Sequence, residues 1–284
     1  MSNDYEIKSW RPAHDPKPEF GKVFPFEPAT RIFDQLTFIG DPIVCCFLLE
    51  TSEGLILIDA MNPENRYMEA IIQGIHDIGY DVSDLKAILL THGHGDHYGL
   101  SGELRKLSGA KIYISETDYE LATHVSMGPF PVMNYEVDGY LEDGQEFTLG
   151  GTTIKCVLTP GHTQGCMSVI IPVTDEGRPH YVALWGGTGV LPGVNIYQYL
   201  MSVDKFSRVC DEYNVEGAIS NHPTCDNGII RARFCREIVS GVPNPYVWTH
   251  EQYRSFEDRY RQMCYRILPK AVNGIAPLRD SMKK

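Results

Sequence analysis

The sequence lacks an excess of positive charge. It holds 25 lysine and arginine residues against 37 aspartate and glutamate residues, and its formal net charge at pH 7 is −12. Because surfaces that bind nucleic acid are built from basic patches, this balance disfavours nucleases and other nucleic-acid-binding proteins.

Long apolar segments are also missing. No uninterrupted hydrophobic run approaches the roughly 18 residues of a membrane-spanning helix. The opening stretch "MSNDYEIKSWRPAHDPKPEF" has no basic segment followed by an apolar one, so it does not have the pattern of a signal peptide. We therefore expect no membrane partner and a cytoplasmic location. A chain from which a leader has been removed is the alternative.

Cysteine motifs are absent although the chain has eight cysteines. No pair is spaced as Cys-x-x-Cys, and the adjacent Cys45 and Cys46 are expected on opposite faces of a strand. This scatter favours reduced, buried thiols in a reducing compartment, with one disulfide as the alternative.

Histidine, by contrast, is concentrated. Of ten histidines, three lie with an aspartate inside "THGHGDH", as His92, His94, Asp96 and His97. Imidazole and carboxylate groups are the usual ligands of zinc, and His-x-His places two imidazoles on the same side of an extended segment. Asp96 and His97 continue onto the next turn, where they can reach a second ion.

Two later histidines follow strand-like segments. His162 lies in "TPGHTQG" after a strand predicted at 152–158, and His222 ends "GAISNH". Sites in α/β proteins form beyond strand ends, so both are predicted to converge on the cluster at 92–97. The remaining histidines are interpreted as structural or surface residues, except that His124 begins a loop that can face the site.

Hydrophobic periodicity predicts an α/β chain. An antiparallel meander is predicted from strands at 31–40, 43–51 and 54–60. Asn62 and Pro63 are expected to open a helix that Gly79 closes. Further strands are predicted at 85–92, 111–115, 145–149, 152–158, 167–173 and 181–187. "LLTHGH" and "VLTPGH" each lead an apolar strand into Thr-x-Gly-His, which indicates two βα halves packed sheet against sheet.

No linker divides the sequence, so we predict one domain over 1–284. A proline-rich and charged N-terminal arm is expected over 1–28, and a helical extension over 240–284. The helix predicted at 247–268 has an apolar stripe that either packs on the body or forms a homodimer contact. The weakly periodic segment 124–144 is either a pocket-lining loop or an ordinary packed loop.

The motifs "THGHGDH", "LTPGHTQG", "WGGTG" and "SNHP" together resemble the metallo-β-lactamase superfamily, whose hallmark is His-x-His-x-Asp-His with later histidines. The likeness covers about residues 30 to 230 and is greatest to the third zinc-dependent β-lactamase subclass and its hydrolase relatives. It implies an αββα sandwich, in which two mixed sheets pack face to face with helices outside.

The resemblance also implies a metal centre and a reaction. One zinc ion is implied at His92, His94 and His162, and a second at Asp96, His97 and His222. A zinc-held hydroxide would attack an ester, thioester, amide or lactone-type small molecule, and Asp96 or metal-bound water would handle the proton of the leaving group. Since β-lactamases act outside the cytoplasm, antibiotic hydrolysis is not the expected physiological role.

Two further residues are expected beside the metals. Asp59 ends the buried strand "LILID" and is the candidate carboxylate to orient a ligating imidazole, with capping of the turn at 60–62 as the alternative.

Thr188 stands where many superfamily hydrolases have a bridging aspartate, which argues against glyoxalase-II-type enzymes and lactonases. Two zinc ions with Asp96 and one hydroxide would leave a net charge of about +2, so an anionic group near the scissile bond is expected in the substrate.

Two other functions stay open. An oxidoreductase of the persulfide-dioxygenase kind would bind a single iron through two histidines and a carboxylate, so iron is the alternative cofactor. A relative that binds metal or ligand without catalysis is the second possibility. A flavodiiron protein is disfavoured, because His94 occupies the place of that family's glutamate.

Overall fold

A computed structural model describes residues 23–126, 129–190, 193–237 and 242–281, with side chains described as far as residue 268. Most of the predicted N-terminal arm lies outside the described residues. Its last part differs from the prediction, because the first strand already begins at Glu27.

The first sheet has seven strands in chain order within the described part of the chain. They are β1 (Glu27–Phe33), β2 (Leu36–Gly40), β3 (Cys45–Thr51), β4 (Gly54–Ile58), β5 (Leu85–Leu89), β6 (Lys111–Ile114) and β7 (Gly139–Tyr140). Strands β1 to β4 pair antiparallel, which confirms the meander, and β4 to β7 pair parallel. The run 31–40 was wrongly predicted as one strand, because the chain turns at Asp34 and Gln35.

The second sheet has the strand order β12-β11-β10-β9-β8. Its strands are β8 (Glu146–Leu149), β9 (Thr152–Leu158), β10 (Met167–Asp175), β11 (Arg178–Leu184) and β12 (Ala218–Ile219). Only the β11–β12 pair is parallel among these. The strand predicted at 181–187 already ends at Leu184, and the glycines after it form a loop that leads to the candidate site.

Seven α-helices occur in the described residues. They are α1 (Asn65–Asp77), α2 (Gly95–Tyr98), α3 (Ser101–Ser108), α4 (Glu116–His124), α5 (Ile196–Glu212), α6 (Gly228–Glu237) and α7 (His250–Ser281). Helix α1 starts later than predicted, because the Asn62 carbonyl accepts the Glu64 N–H in a turn and Glu64 is the N-cap. Gly79, with a φ of 93°, follows its end as expected.

Apolar side chains form three layers. Phe47 of the first sheet and Leu184 of the second belong to the core between the sheets. Ile71 of α1 packs on the outer face of the first sheet. Phe206 of α5 and Tyr253 of α7 pack on the outer face of the second. Helices therefore lie outside two sheets packed face to face, which confirms the αββα sandwich.

Neighbouring cysteines illustrate the alternation of faces along β3. Cys45 faces the core between the sheets and Cys46 faces the layer under α1, as predicted from the period of a strand. All eight cysteines of the chain are free thiols.

The apolar stripe of α7 packs against the body of the protein. Tyr253 and Cys264 are buried in the cluster that contains α5, and Phe256, Tyr260 and Met263 pack partly buried against it. This is the packing interpretation of the predicted stripe. Neither α7 nor any other helix among the described residues has the length and hydrophobicity that a membrane span requires.

Candidate metal centre

The candidate site lies beyond strand ends from both sheets. His92, His94 and His97 follow β5, whereas His162 follows β9 and His222 follows β12. Backbone hydrogen bonds join the sheets here. The Met167 N–H donates to the Thr91 carbonyl over 2.8 Å, and the Cys45 N–H donates to the Asn221 carbonyl over 2.9 Å.

The first group consists of His92, His94 and His162, whose ring nitrogens lie within 4.8 Å of one another. Nε2 of His92 and Nε2 of His162 each lie 3.1 Å from Nδ1 of His94. Three imidazole nitrogens that converge in this way are the donor set of a zinc site that keeps a fourth position open.

The second group consists of Asp96, His97 and His222, again with ligand atoms within 4.8 Å of one another. The two Nε2 atoms lie 3.2 Å apart. Oδ2 of Asp96 lies 3.6 Å from Nε2 of His97 and 3.9 Å from Nε2 of His222. Two imidazoles and a carboxylate suit zinc and also suit iron. All six residues predicted as ligands are thus brought together in two neighbouring groups.

Four of these histidines are oriented through their other ring nitrogen. Two of the partners are side chains: Nδ1 of His92 lies 3.1 Å from the Thr91 hydroxyl, and Nδ1 of His97 lies 2.8 Å from Oδ2 of Asp59. The other two partners are backbone carbonyls. Nδ1 of His162 lies 2.6 Å from the carbonyl of Gly189, and Nδ1 of His222 lies 2.8 Å from the carbonyl of Ile43. An imidazole that donates from Nδ1 presents a lone pair at Nε2. The partners therefore select the tautomer that a metal ion needs, so the donor set fits zinc.

The first-group histidines are held neutral. Burial and the neighbouring histidines hold the pKa of His92 well below its ordinary value. The same causes lower the pKa of His94 to about 4 and that of His162 to about 3. Because the neutral imidazole is the form that binds a metal, these rings need release no proton at neutral pH.

The second group combines opposed charges. Burial opposes ionisation of Asp96, but the facing histidines lower its pKa overall. Burial and the nearby His97 lower the pKa of His222. Burial also acts to lower the pKa of His97, yet the carboxylates of Asp96 and Asp59 raise it overall. The carboxylate of this group is therefore ionised at neutral pH.

Asp59 is fully buried after β4 and has a φ of 61°. Its Oδ1 accepts the Thr91 N–H over 2.8 Å. Its Oδ2 accepts from the Thr91 hydroxyl, from Nδ1 of His97 and from the Asn221 side-chain amide. The carboxylate thus lies against a candidate ligand. Sequence reasoning missed Thr91 and Asn221, although each directly precedes a strand-end histidine.

Thr188 is buried, and its neighbours Gly187 and Gly189 lie next to His162 of the first group. It follows Gly187, where an added Cβ would lie 2.4 Å from Cβ of His162, so only glycine fits this approach. Burial raises the pKa of the Cys225 thiol, which lies on the loop after His222, and the Thr188 side chain opposes that rise. A neutral hydroxyl therefore occupies the position that was compared above with the bridging aspartate of many superfamily hydrolases.

A cleft of about 800 Å³ opens beside the first group. Its lining includes His94 and His162, together with Glu120, Leu121, His124 and Val194. Within the described residues, the predicted pocket-lining loop contributes only its first residue, His124. The described lining contains no lysine or arginine.

Comparison with known proteins agrees with the family resemblance of the sequence motifs. A family model described as the metallo-beta-lactamase superfamily matches residues 39–175. The chain is 36% identical over 104 residues to a probable polyketide biosynthesis zinc-dependent hydrolase of Bacillus velezensis, which is 37% of this chain and 41% of that protein. It is 29% identical over 159 residues to an N-acyl homoserine lactonase of Bacillus thuringiensis, which is 47% of this chain and 60% of that protein. Each match thus spans less than two thirds of the relative.

Solved structures share the fold over most of the chain. The native FEZ-1 metallo-beta-lactamase from Legionella gormanii superposes with a TM-score of 0.76 at 23% identity, covering 88% of this chain and 98% of that one. BJP-1, a subclass B3 metallo-beta-lactamase of Bradyrhizobium japonicum, gives 0.73 at 24% identity, covering 88% and 96%. This chain therefore matches the metallo-β-lactamase superfamily model over residues 39–175, and it shares the fold of solved metallo-β-lactamases over most of its length.

Proposed function

We propose that the chain is a zinc-dependent hydrolase with two zinc sites, acting on a small molecule with an ester, thioester, amide or lactone bond. The supporting observation is the convergence of five imidazoles and one carboxylate in two adjacent groups. The two curated relatives, named a zinc-dependent hydrolase and a lactonase, support the same class of reaction. Lactones stay in the proposal for that reason, although Thr188 departs from the bridged pattern.

In this proposal His92, His94 and His162 hold one ion, and Asp96, His97 and His222 hold the other. Zinc in such sites lowers the pKa of a water molecule and polarises a carbonyl oxygen. The protein's part is to keep the rings neutral and aimed, through burial and through the partners of each Nδ1 atom.

Asp96 is the proposed proton carrier. Its pKa is lowered, so its carboxylate is available as a base at neutral pH. One oxygen, Oδ2, faces His97 and His222. The other oxygen is proposed to take a proton from the attacking water and to pass it to the leaving group.

The cleft suggests where charge in the substrate belongs. Its described lining offers no cationic side chain, and Glu120 adds an exposed carboxylate. Leu121 and Val194 provide apolar surface. We propose that an anionic group is favoured only next to the metal centre, whereas the arm of the substrate that occupies the cleft is neutral.

Replacing Thr188 with aspartate is expected to strengthen metal binding and to reduce the preference for esters with a carboxylate near the scissile bond. The reason is that a new negative charge between Gly187 and Gly189, which lie next to His162, lowers the positive charge of the centre. Relative kcat/KM for matched neutral and anionic esters measures the change. Thr188→Asn has nearly the same size without the charge and is the control. Equal preference in the aspartate and asparagine variants would contradict the charge argument.

Metal removal tests the proposed function itself. Protein made without added metal is expected to contain about two zinc ions per chain. Hydrolysis of a panel of chromogenic esters, thioesters, lactams and lactones should stop with a chelator and return with zinc. Bound iron with oxygen consumption on a persulfide would favour the oxidoreductase alternative. Bound metal without turnover of any panel member would favour a non-catalytic relative.

Location and assembly stay predictions. Eight free cysteines suit a reducing compartment, and we propose a cytoplasmic location on that basis. A homodimer through α7 is the proposed assembly, since Tyr265 is an exposed aromatic residue on that helix. Light scattering on the purified protein measures the mass in solution and decides the assembly.

A further inference from the structure

Asp118 lies in α4, outside both ligand groups, and its side chain is fully buried. Its Oδ2 accepts hydrogen bonds from the Gly93 N–H over 2.8 Å and from the Thr163 hydroxyl over 2.5 Å. Its Oδ1 accepts the Gly165 N–H over 2.7 Å. One carboxylate thus accepts three hydrogen bonds from two loops.

Both loops carry ligands of the first group. Gly93 separates His92 from His94 on the loop after β5, and Thr163 directly follows His162 on the loop after β9. These loops leave different sheets and are far apart in the sequence. Asp118 therefore joins the two halves of the first metal group without being one of its ligands.

The backbone approaches Asp118 so closely that glycine is required. A Cβ added at Gly93 would lie 2.5 Å from the carbonyl oxygen of Asp118. A Cβ added at Gly165 would lie 2.2 Å from Oγ of Ser115, the N-cap of α4, and 2.7 Å from Oδ1 of Asp118. The Ser115 hydroxyl also donates to the Gly165 carbonyl over 2.6 Å. The first turn of α4 is therefore built around the two ligand loops.

The arrangement has a cost in solvation. All three donors to Asp118 are neutral, and within the described residues no lysine or arginine side chain bonds to its carboxylate. Burial raises the pKa of Asp118, and the hydrogen bonds oppose that rise. A buried carboxylate with neutral partners contributes less to the stability of the fold than an apolar side chain in the same space, because the carboxylate loses its hydration on burial.

We propose that Asp118 is a positioning residue that sets the distance between the His92–His94 pair and His162, and thereby the affinity of the first group for its ion. The inference rests on the proposed metal centre and deepens it. Oriented partners of metal ligands typically change metal affinity by about 10- to 100-fold when they are removed, and an effect of that size is expected here.

The test is a metal titration of Asp118→Ala and Asp118→Asn in the full chain. Metal-free protein is titrated with Co²⁺, followed by its visible absorption, and with Zn²⁺ against a chromophoric chelator. Two reference variants identify the group affected, because His94→Ala removes a first-group ligand and Asp96→Ala a second-group ligand. Asp118→Ala is expected to weaken the binding of one ion of the pair by about 10- to 100-fold, and the absorption that it weakens should be the absorption that His94→Ala removes. Asp118→Asn, which keeps an accepting oxygen, should lie between it and the unmodified protein.

Two further variants separate positioning from folding. Thr163→Val leaves the carboxylate in place and removes one of its three bonds, so a smaller loss at the same group is expected. Asp34→Asn is the matched control, since Asp34 accepts the Glu176 and Gly177 N–H groups at the opposite end of β10 and β11. It should leave metal affinity unchanged.

The outcomes are distinct. Unchanged affinity and spectrum in Asp118→Asn and Thr163→Val would overturn the inference and leave the proposed function standing. A spectrum of Asp118→Ala like that of Asp96→Ala would also overturn it, because the wrong group would be affected. An unmodified protein that binds neither Co²⁺ nor Zn²⁺ would overturn both.

Discussion

Replacing His162 with alanine is expected to remove one zinc ion and nearly all hydrolytic activity. Nε2 of His162 lies 3.1 Å from Nδ1 of His94, and this imidazole is the one ligand that the second sheet supplies to the first group. Two remaining imidazoles hold zinc weakly, because protein zinc sites use at least three ligands. The loss in kcat/KM should exceed the roughly 10- to 100-fold effect of removing a mere partner of a ligand. Elemental analysis and kinetics measure the two effects.

The matched control is His180→Ala. His180 is also a partly buried histidine of the second sheet, and its Nδ1 pairs with a carboxylate, Oε2 of Glu216, over 2.7 Å. It has no place in either ligand group. Its replacement should leave zinc content and turnover unchanged. Full zinc content in His162→Ala would mean that the convergence of the three imidazoles does not hold an ion.

Replacing Asp59 with alanine is expected to lower the free energy of unfolding by about 3–5 kcal/mol. The change leaves the N–H and the hydroxyl of Thr91 buried without their acceptor, and it removes one of the three acceptors of the Asn221 amide. It also places alanine at a φ of 61°, which side chains other than glycine, asparagine and aspartate seldom adopt. Urea denaturation of metal-free protein measures the loss without a contribution from metal binding. A change below about 1 kcal/mol would contradict the network described here.

Asp59→Asn separates the fold from the metal. Asparagine tolerates the positive φ and keeps one acceptor for the Thr91 N–H, so a smaller loss of stability is expected. Its amide, however, would face Nδ1 of His97 and favour the tautomer with the proton on Nε2, the atom that faces His222. Zinc affinity of the second group should therefore fall by about 10- to 100-fold in a folded protein. A stable variant with unchanged affinity would show that Asp59 does not orient His97.

The ligand candidates could be predicted because each carries a local signal. His92, His94, Asp96 and His97 lie within one short motif, and His162 follows an apolar strand in a glycine-containing turn. Ligands of a shared ion lie just beyond strand ends, so a ligand can be recognised from the apolar strand that directly precedes it in the sequence. Apolar runs predicted most of the strands and two halves packed sheet against sheet, whereas the αββα sandwich was implied by the resemblance of the motifs to a known family.

The supporting residues could not be predicted in the same way. Asp118 resembles any acidic residue in the first turn of a helix, and Asn221 any polar residue before a loop. What distinguishes them is a set of partners distant in the sequence, such as Gly165 for Asp118 and Asp59 for Asn221. Helix α6 was missed because its apolar residues do not fall into a clear stripe, and its buried contacts arise from tertiary packing.

The backbone bonds between the sheets, from Met167 to Thr91 and from Cys45 to Asn221, have a consequence for metal selection in the cell. They need no ion, so the fold sets the spacing of the imidazoles before any metal arrives. A rigid set of nitrogen and oxygen donors accepts several first-row ions in an order that chemistry fixes, and the ion acquired then depends on supply. The same protein, produced in cells grown in iron-rich or in zinc-rich medium, would therefore bind different ions and catalyse different chemistry.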